Sequence, residues 1–112
     1  MKYIVLIGLM SILSTESLAY GVVNGKIIEV RIDQSGLAMV KFDQPVTGSY
    51  ATCRISAYTN WLSFNTNTAA GRSIMAMVLT AKTTGSTVAA YGLGTCSNFG
   101  GYVEDWDYGV AL

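Results

Sequence analysis

Apolar residues recur at helical spacing over only one long stretch of the chain, residues 65–85. They lie three or four positions apart and mark one buried face, formed by Ala70, Ile74, Met77, Val78 and Ala81. Polar residues at 65–68 are able to cap free backbone N–H groups, and Gly85 suits the left-handed residue that closes a helix. The pattern therefore predicts one long helix, with the rest of the chain arranged around it as short strands.

The other side of this predicted helix is also apolar. Met75 and Leu79 lie one turn apart and point away from the buried face, and only Arg72 and Lys82 bring charge to the helix. Two interpretations stay open. Met75 and Leu79 are either scattered exposed residues, which monomers tolerate, or oligomer-interface residues on a second face that packs against a neighbouring subunit.

Short strands are predicted wherever apolar and polar residues alternate. A bend or bulge is expected near Gly25, and a tight loop at 34–36 is expected to connect the first two strands. The segment 53–57 is expected to turn Cys53, Ile55 and Ala57 inward. The predicted strands cover residues 21–33, 37–43, 53–57, 61–65, 87–96 and 103–112.

The last of these strands carries aromatic and acidic residues on opposite faces. Trp106 and Tyr108 are expected in the core, on the same face as Val110 and Leu112. Asp105 and Asp107 share the other face, which is interpreted as solvated in preference to a calcium site or an acid/base pair.

The order of three or four strands, one helix and two strands predicts a mainly β fold with one helix. It favours an OB-fold-like five-stranded Greek-key barrel with the helix between strands 3 and 4. The alternative is a five-stranded α+β sheet with the helix on one face. Only the bent first strand favours the barrel.

Residues 1–19 have the features of a secretory signal peptide, with Lys2 before an apolar run and small residues before a cleavage site at Tyr20. A single domain at 20–112 is then expected to be secreted or periplasmic, with no membrane span after leader removal. Export favours a Cys53–Cys96 disulfide over free thiols. A metal site is disfavoured because the chain has no His and no CxxC pair.

Charge and composition exclude several functions. Seven basic and seven acidic residues balance without a basic patch, so nucleic-acid binding is not expected. The absence of His and of a GxSxG motif argues against nucleophilic catalysis, so no enzyme activity and no cofactor are predicted. The aromatic residues are a better lead, because sugar sites combine an aromatic platform with Asn, Asp, Ser or Tyr. Core or interface packing is their alternative role.

The stretch Gly21-Val22-Val23, the following hairpin, the helix end at 83–85 and Tyr91 on the next strand resemble the B subunit of subtilase cytotoxin and related small secreted proteins. The resemblance covers most of residues 21–96. It implies an OB-fold that assembles into a homopentameric ring, with the helices lining a central pore. It also implies binding of sialylated glycans and association with a catalytic A subunit.

The ligand-binding candidates are therefore Tyr20, Asn24, Trp61 and Tyr91. The chain departs from the family at Tyr20, where the family has a serine, and Tyr91 is offset by about one residue. The leading hypothesis is a non-enzymatic, oligomeric binding subunit for a cell-surface glycan. The alternative is a periplasmic or surface OB-fold protein that binds a protein partner without glycan binding.

Overall fold

The computed structural model describes residues 20–112, so the predicted signal peptide lies outside the described residues. The described chain contains six strands and one α-helix, with a short 3-10 helix at Ser56–Tyr58. The elements are β1 (Gly21–Ile32), β2 (Leu37–Phe42), β3 (Thr47–Gly48), β4 (Trp61–Asn65), α1 (Ala69–Thr84), β5 (Thr87–Gly92) and β6 (Trp106–Ala111). The mainly β prediction with one helix is confirmed.

All strand pairs are antiparallel and form one sheet in the order β4-β2-β1-β5-β6, with the two-residue β3 paired to β1. The long strand β1 is shared by both halves of this sheet. Its first half pairs with β5 and its second half pairs with β2. A bulge between Ile27 and Glu29 lies where the partner changes, slightly later than the bend expected at Gly25.

The helix α1 begins at Ala69, directly after the predicted capping residues 65–68, and Asn65 is still paired with Leu37 as the last residue of β4. The Thr68 Oγ1 caps the helix by accepting the Gly71 N–H at 2.9 Å. At the other end Gly85 has φ +73°, the left-handed residue that the sequence predicted.

The core lies between the inner face of the sheet and α1. Trp106 is at its centre, with its ring 6.4 Å from Phe42 and 5.9 Å from Phe64. Val78 and Ala81 are the buried hydrophobic residues of the helix, and Ile74 and Met77 pack against them half-buried. The remaining core is supplied mainly by Val23, Ile27, Ala38, Val40, Leu62, Val88 and Ala90.

The predicted strand at 53–57 is wrong. This segment forms a turn followed by the 3-10 helix, and Cys53 and Ile55 are exposed. Its backbone forms turn bonds instead of a ladder, since the Arg54 N–H donates to Ala51 O at 3.2 Å, and the Ile55 N–H donates to Tyr102 O at 3.0 Å.

The last two strands are shorter than predicted, and β6 does not place Tyr108 in the core. In β6, Trp106 pairs with Gly92 and Tyr108 pairs with Tyr91, so Asp107 is an extra residue in a bulge. The bulge breaks the alternation. Trp106 therefore points inward, while Tyr108 lies 53% exposed on the outer face.

One backbone bridge joins the two ends of the sheet. Ser63 on β4 forms an isolated parallel bridge with Asp105, just before β6, and its N–H donates to Glu104 O at 2.9 Å. Beyond this bridge, no ladder connects β4 with β6 in the described chain.

The predicted disulfide is confirmed. Cys53 and Cys96 are bonded, with a sequence separation of 43 residues. The bond connects the loop after β3 to the loop between β5 and β6. Within residues 20–112, no helix combines the length and the hydropathy that a membrane crossing requires.

We predict that replacing both cysteines by serine lowers the free energy of unfolding by roughly 3–4 kcal/mol, because the unfolded chain gains the freedom of a long open loop. Urea denaturation of the variant and of the oxidised protein measures the difference. The reduced wild-type protein is the matched control and should unfold like the variant. A difference below about 1 kcal/mol would contradict the prediction.

Candidate functional site

The outer face of β1, β5 and β6 carries an aromatic surface. Val22 on β1 pairs with Tyr91 on β5, which pairs with Tyr108 on β6, so the three side chains form one row across the sheet. The rings of Tyr91 and Tyr108 are stacked, with centroids 4.5 Å apart and planes at 18°. Tyr91 is half-buried and Tyr108 is exposed, so the stacked pair presents a rigid aromatic platform to solvent.

Tyr20 directly precedes β1, two residues before Val22. Its ring covers Gly94, where a Cβ would lie 2.5 Å from the ring carbon Cδ1. Gly94 also has φ +79°, which disfavours any other residue. The Tyr20 ring therefore packs on Gly94 in a defined position, although Tyr20 remains 53% exposed.

Asn24 lies on the same outward face of β1, two residues beyond Val22. It lines a cleft of about 460 Å³ in which the side chains are mainly polar. The Asp43 carboxylate anchors one wall, since its Oδ1 accepts the Lys26 N–H at 2.9 Å. The other polar lining residues are Gln44, Thr47 and Thr87.

Trp61 does not join this surface. It lies on β4, at the opposite end of the sheet order from β6, and pairs with Lys41 of β2. Its half-buried ring meets Tyr58 edge-on, with centroids 6.1 Å apart. The structure thus places Asn24 and Tyr91 on one face of the sheet, with Tyr20 directly before β1, and leaves Trp61 apart. Tyr108 was missed as a surface residue because nothing in the alternation marks the bulge at Asp107.

The two candidate interface residues line a separate, apolar groove. Met75 and the 47% exposed Leu79 lie on α1 opposite Val30 and Ile32 of β1. The groove has a volume of about 490 Å³, and Thr66 and Arg72 complete its lining. Ile32 is itself exposed, so the groove continues an apolar surface onto this end of β1.

The backbone of β1 is also unpaired beside this groove. Asp33 N–H donates to Leu37 O at 2.8 Å, so in the alternating ladder the groups of Val30 and Ile32 point away from β2. The pairing of β1 with β5 ends at Lys26, and no other described strand reaches them. The apolar groove is therefore bordered by an open strand edge.

A second open edge runs along β6. Leu112 N–H donates to Thr87 O at 2.8 Å, and the alternation then turns the backbone groups of Gly109 and Ala111 away from β5. In the part of the chain that the structure describes, no strand pairs with this side of β6 along those residues.

Glu104 is a fully buried carboxylate that accepts backbone hydrogen bonds from three separate segments. Its donors are the N–H groups of Gly21 at 2.9 Å, Ala51 at 2.9 Å and Gly94 at 3.0 Å. No ion pair with a described residue compensates its charge. The hydrogen bonds from the three backbone N–H groups compensate it instead. A Cβ at Gly92 would collide with the Glu104 carboxylate, so this packing requires glycine there.

Asp105 is buried as well, which corrects the prediction that it lies on a solvated face. Its carboxylate accepts from the hydroxyls of Thr95 and Ser97 at 2.6 Å each and from the Asn98 side-chain amide at 3.0 Å. It also accepts from the Ser97 N–H at 3.0 Å and the Ser63 hydroxyl at 3.3 Å. Only Asp107 of the predicted pair is exposed. Asp105 therefore holds the loop between β5 and β6 in one conformation.

Metal and charge features are sparse across residues 20–112. No group of three or more His, Cys, Asp or Glu side chains there is arranged to hold a metal ion. Arg31 forms an ion pair with Asp33 at 2.8 Å, at the far end of β1 from the aromatic surface. The hydrogen bond from Arg31 to Asp33 raises the pKa of the guanidinium above its ordinary value.

Comparisons of the chain with protein-family models, with curated proteins and with solved structures each found no match.

We predict that Glu104→Gln lowers the free energy of unfolding by about 3 kcal/mol or more, because an amide replaces a charged acceptor of three backbone N–H groups. Chemical denaturation measures the loss, and hydrogen exchange of the Gly21, Ala51 and Gly94 amides locates it. Asp107→Asn is the matched control, since that carboxylate is exposed, and it should change stability by less than about 0.5 kcal/mol. Equal effects of the two substitutions would refute the role of Glu104.

Proposed function

We propose that this protein is an exported, non-enzymatic binding subunit that takes a cell-surface glycan on the outer face of β1, β5 and β6. The observation that carries the proposal is that Asn24 and Tyr91 lie on one face of the sheet beside the stacked Tyr108, with Tyr20 directly before β1 and its ring over Gly94. These residues come from sequence segments far apart. Trp61 stays a separate ligand-binding prediction on another strand.

The chemistry of this face suits a sugar. The apolar C–H side of a pyranose ring packs on an exposed aromatic ring, and its hydroxyls need fixed polar groups close by. The Tyr91–Tyr108 pair offers the ring surface, and the cleft at Asn24 offers amide, hydroxyl, ammonium and carboxylate groups. Tyr20 and Tyr108 add phenol hydroxyls at its border.

The proposal includes an OB-type Greek-key barrel. Without the two-residue β3, the sheet order runs third, second, first, fourth and fifth strand, with α1 between the third and the fourth. The parallel bridge between Ser63 and Asp105 supports closure of the third strand on the fifth. The bulged first strand, which bends from one partner to the other, supports the same architecture.

We further propose that the protein forms a homo-oligomer, with a pentameric ring as the form that the family resemblance favours. Each chain has one open edge at β1, beside the groove of Met75 and Leu79, and a second one at β6. Pairing the β6 edge of one copy with the β1 edge of the next gives hydrogen-bond partners to the unpaired backbone groups of both edges. Because the two surfaces differ, the contact is head-to-tail, and a contact of this kind forms a ring when the rotation between copies closes.

The resemblance extends the proposal to a catalytic A subunit as a partner of that ring. A protein partner without glycan binding is the second candidate function. The exposed apolar groove favours it, since such a groove suits contact with protein better than contact with sugar.

We predict that Tyr91→Ala weakens glycan binding by about tenfold or more, because it removes half of the stacked platform. A glycan array identifies the ligand, and surface plasmon resonance measures the affinity. Tyr102→Ala is the control, because Tyr102 is a tyrosine on a loop outside this face and its side chain is 50% exposed. If no glycan binds the wild-type protein and a single protein co-purifies with it, the second candidate function replaces the first.

We predict that Met75→Glu combined with Leu79→Glu converts the oligomer to a monomer, because two charges would be buried in the contact. Light scattering of the purified protein gives the mass in solution. Ser73→Glu with Thr80→Glu is the control pair on another exposed side of α1 and should leave the mass unchanged. A monomeric wild-type protein would overturn the ring and leave the glycan-binding proposal to its own test.

A further inference from the structure

A second polar cleft lies between β4, the start of α1 and β6. Its volume is about 290 Å³, and it shares no lining residue with the proposed glycan face at Tyr20, Asn24 and Tyr91. The loop between β5 and β6 forms one of its walls through Leu93, Ser97 and Asn98. The size is close to that of small ligand sites and suits a single six-membered ring.

The cleft has an apolar floor and a polar rim. Phe64, Ile74 and Trp106 supply the floor, and they belong to the core or pack against it. No lysine or arginine lines the cleft, while two carboxylates do. An anionic ligand is therefore disfavoured by charge. The polar lining residues are Ser63, Asn65, Thr68, Ser97, Asn98, Asp105 and Asp107.

Three polar groups of the rim are free to bind. Among the described residues, no donor bonds to the exposed Asp107 carboxylate. Asn65 uses its Oδ1 to accept the Asn67 N–H at 2.9 Å, which leaves the Nδ2 donors free. Asn98 donates through Nδ2 to Asp105 at 3.0 Å, which leaves its Oδ1 as a free acceptor. The rim thus offers acceptors and donors together.

The rim is also held rigidly before any ligand arrives. Asp105 receives the Ser97 and Asn98 groups described above, and the adjacent Cys96 is tied to Cys53. On the other wall, the Thr68 cap fixes the entry to α1. Preorganised polar groups lose little freedom on binding, which favours recognition of a small ligand.

We propose that this cleft binds one ring of a neutral sugar. The Asp107 carboxylate and the Asn98 Oδ1 accept from hydroxyls of the ring, and the Asn65 Nδ2 donates to them. The C–H side of the ring faces the apolar floor. The site is independent of the glycan face proposed above and differs from it in carrying no cation.

The test is a titration of the exported protein with the methyl glycosides of glucose, galactose, mannose and N-acetylglucosamine, followed by amide NMR. At least one glycoside is expected to shift the Ser97, Asn98 and Asp107 resonances in a saturable way, with millimolar affinity. Asp107→Asn is expected to weaken this binding by roughly tenfold, because hydrogen bonds to a charged acceptor are the stronger ones. Glu29→Gln, an exposed carboxylate on β1, is the control and should not change it.

Three outcomes overturn the proposal. None of the glycosides shifts these resonances at concentrations up to about 50 mM, or methylammonium alone shifts them, which would identify a cation site. Alternatively, the glycoside shifts vanish in Tyr91→Ala and persist in Asp107→Asn, which would assign the sugar to the outer sheet face. If the outer sheet face binds no glycan but the Asp107 resonance still shifts with a glycoside, only the proposed glycan binding at the outer face is refuted.

Discussion

The buried carboxylate of Glu104 is the contact on which the arrangement of this chain depends. It gathers the start of β1, the loop after β3 and the loop after β5 through three backbone N–H groups. No cation neutralises it within the described residues, so the hydrogen bonds and the surrounding backbone dipoles compensate for its desolvation. The Glu104 carboxylate also explains why positions 21 and 92 are glycine, because a side chain at either position would overlap with it.

Three consecutive residues connect this polar network to the apolar core. Glu104 binds loop backbones, Asp105 orders the loop between β5 and β6, and Trp106 packs between Phe42 and Phe64. The bulge at Asp107 then turns the rest of β6 outward. The polar network at Glu104 and Asp105 is directly followed in sequence by the core contact of Trp106. Together they fix the direction of β6.

Features set by local chemistry were predictable from the sequence, and features set by distant contacts were not. The α1 helix follows from its apolar spacing and its caps at Thr68 and Gly85, and the first hairpin follows from its turn residues. The roles of Glu104 and Asp105 depend on partners up to 83 residues away, which alternation along one strand does not reveal. The exposure of Tyr108 was not predictable either, because it depends on how β6 pairs with β5. One extra residue in β6 reverses the face of all residues that follow it.

The stability of the fold and the geometry of the proposed binding face have a common origin. Tyr20 rests on Gly94, and the Gly94 N–H is held by the carboxylate that also holds Gly21, the residue next to Tyr20. The ring is therefore positioned by the same contact that joins the strand ends. The open edge of β1 lies at the other end of that strand, beyond its bulge. The aromatic surface proposed for a small ligand thus lies at one end of β1. The apolar surface with an unpaired strand edge, proposed for another protein chain, lies at the other end.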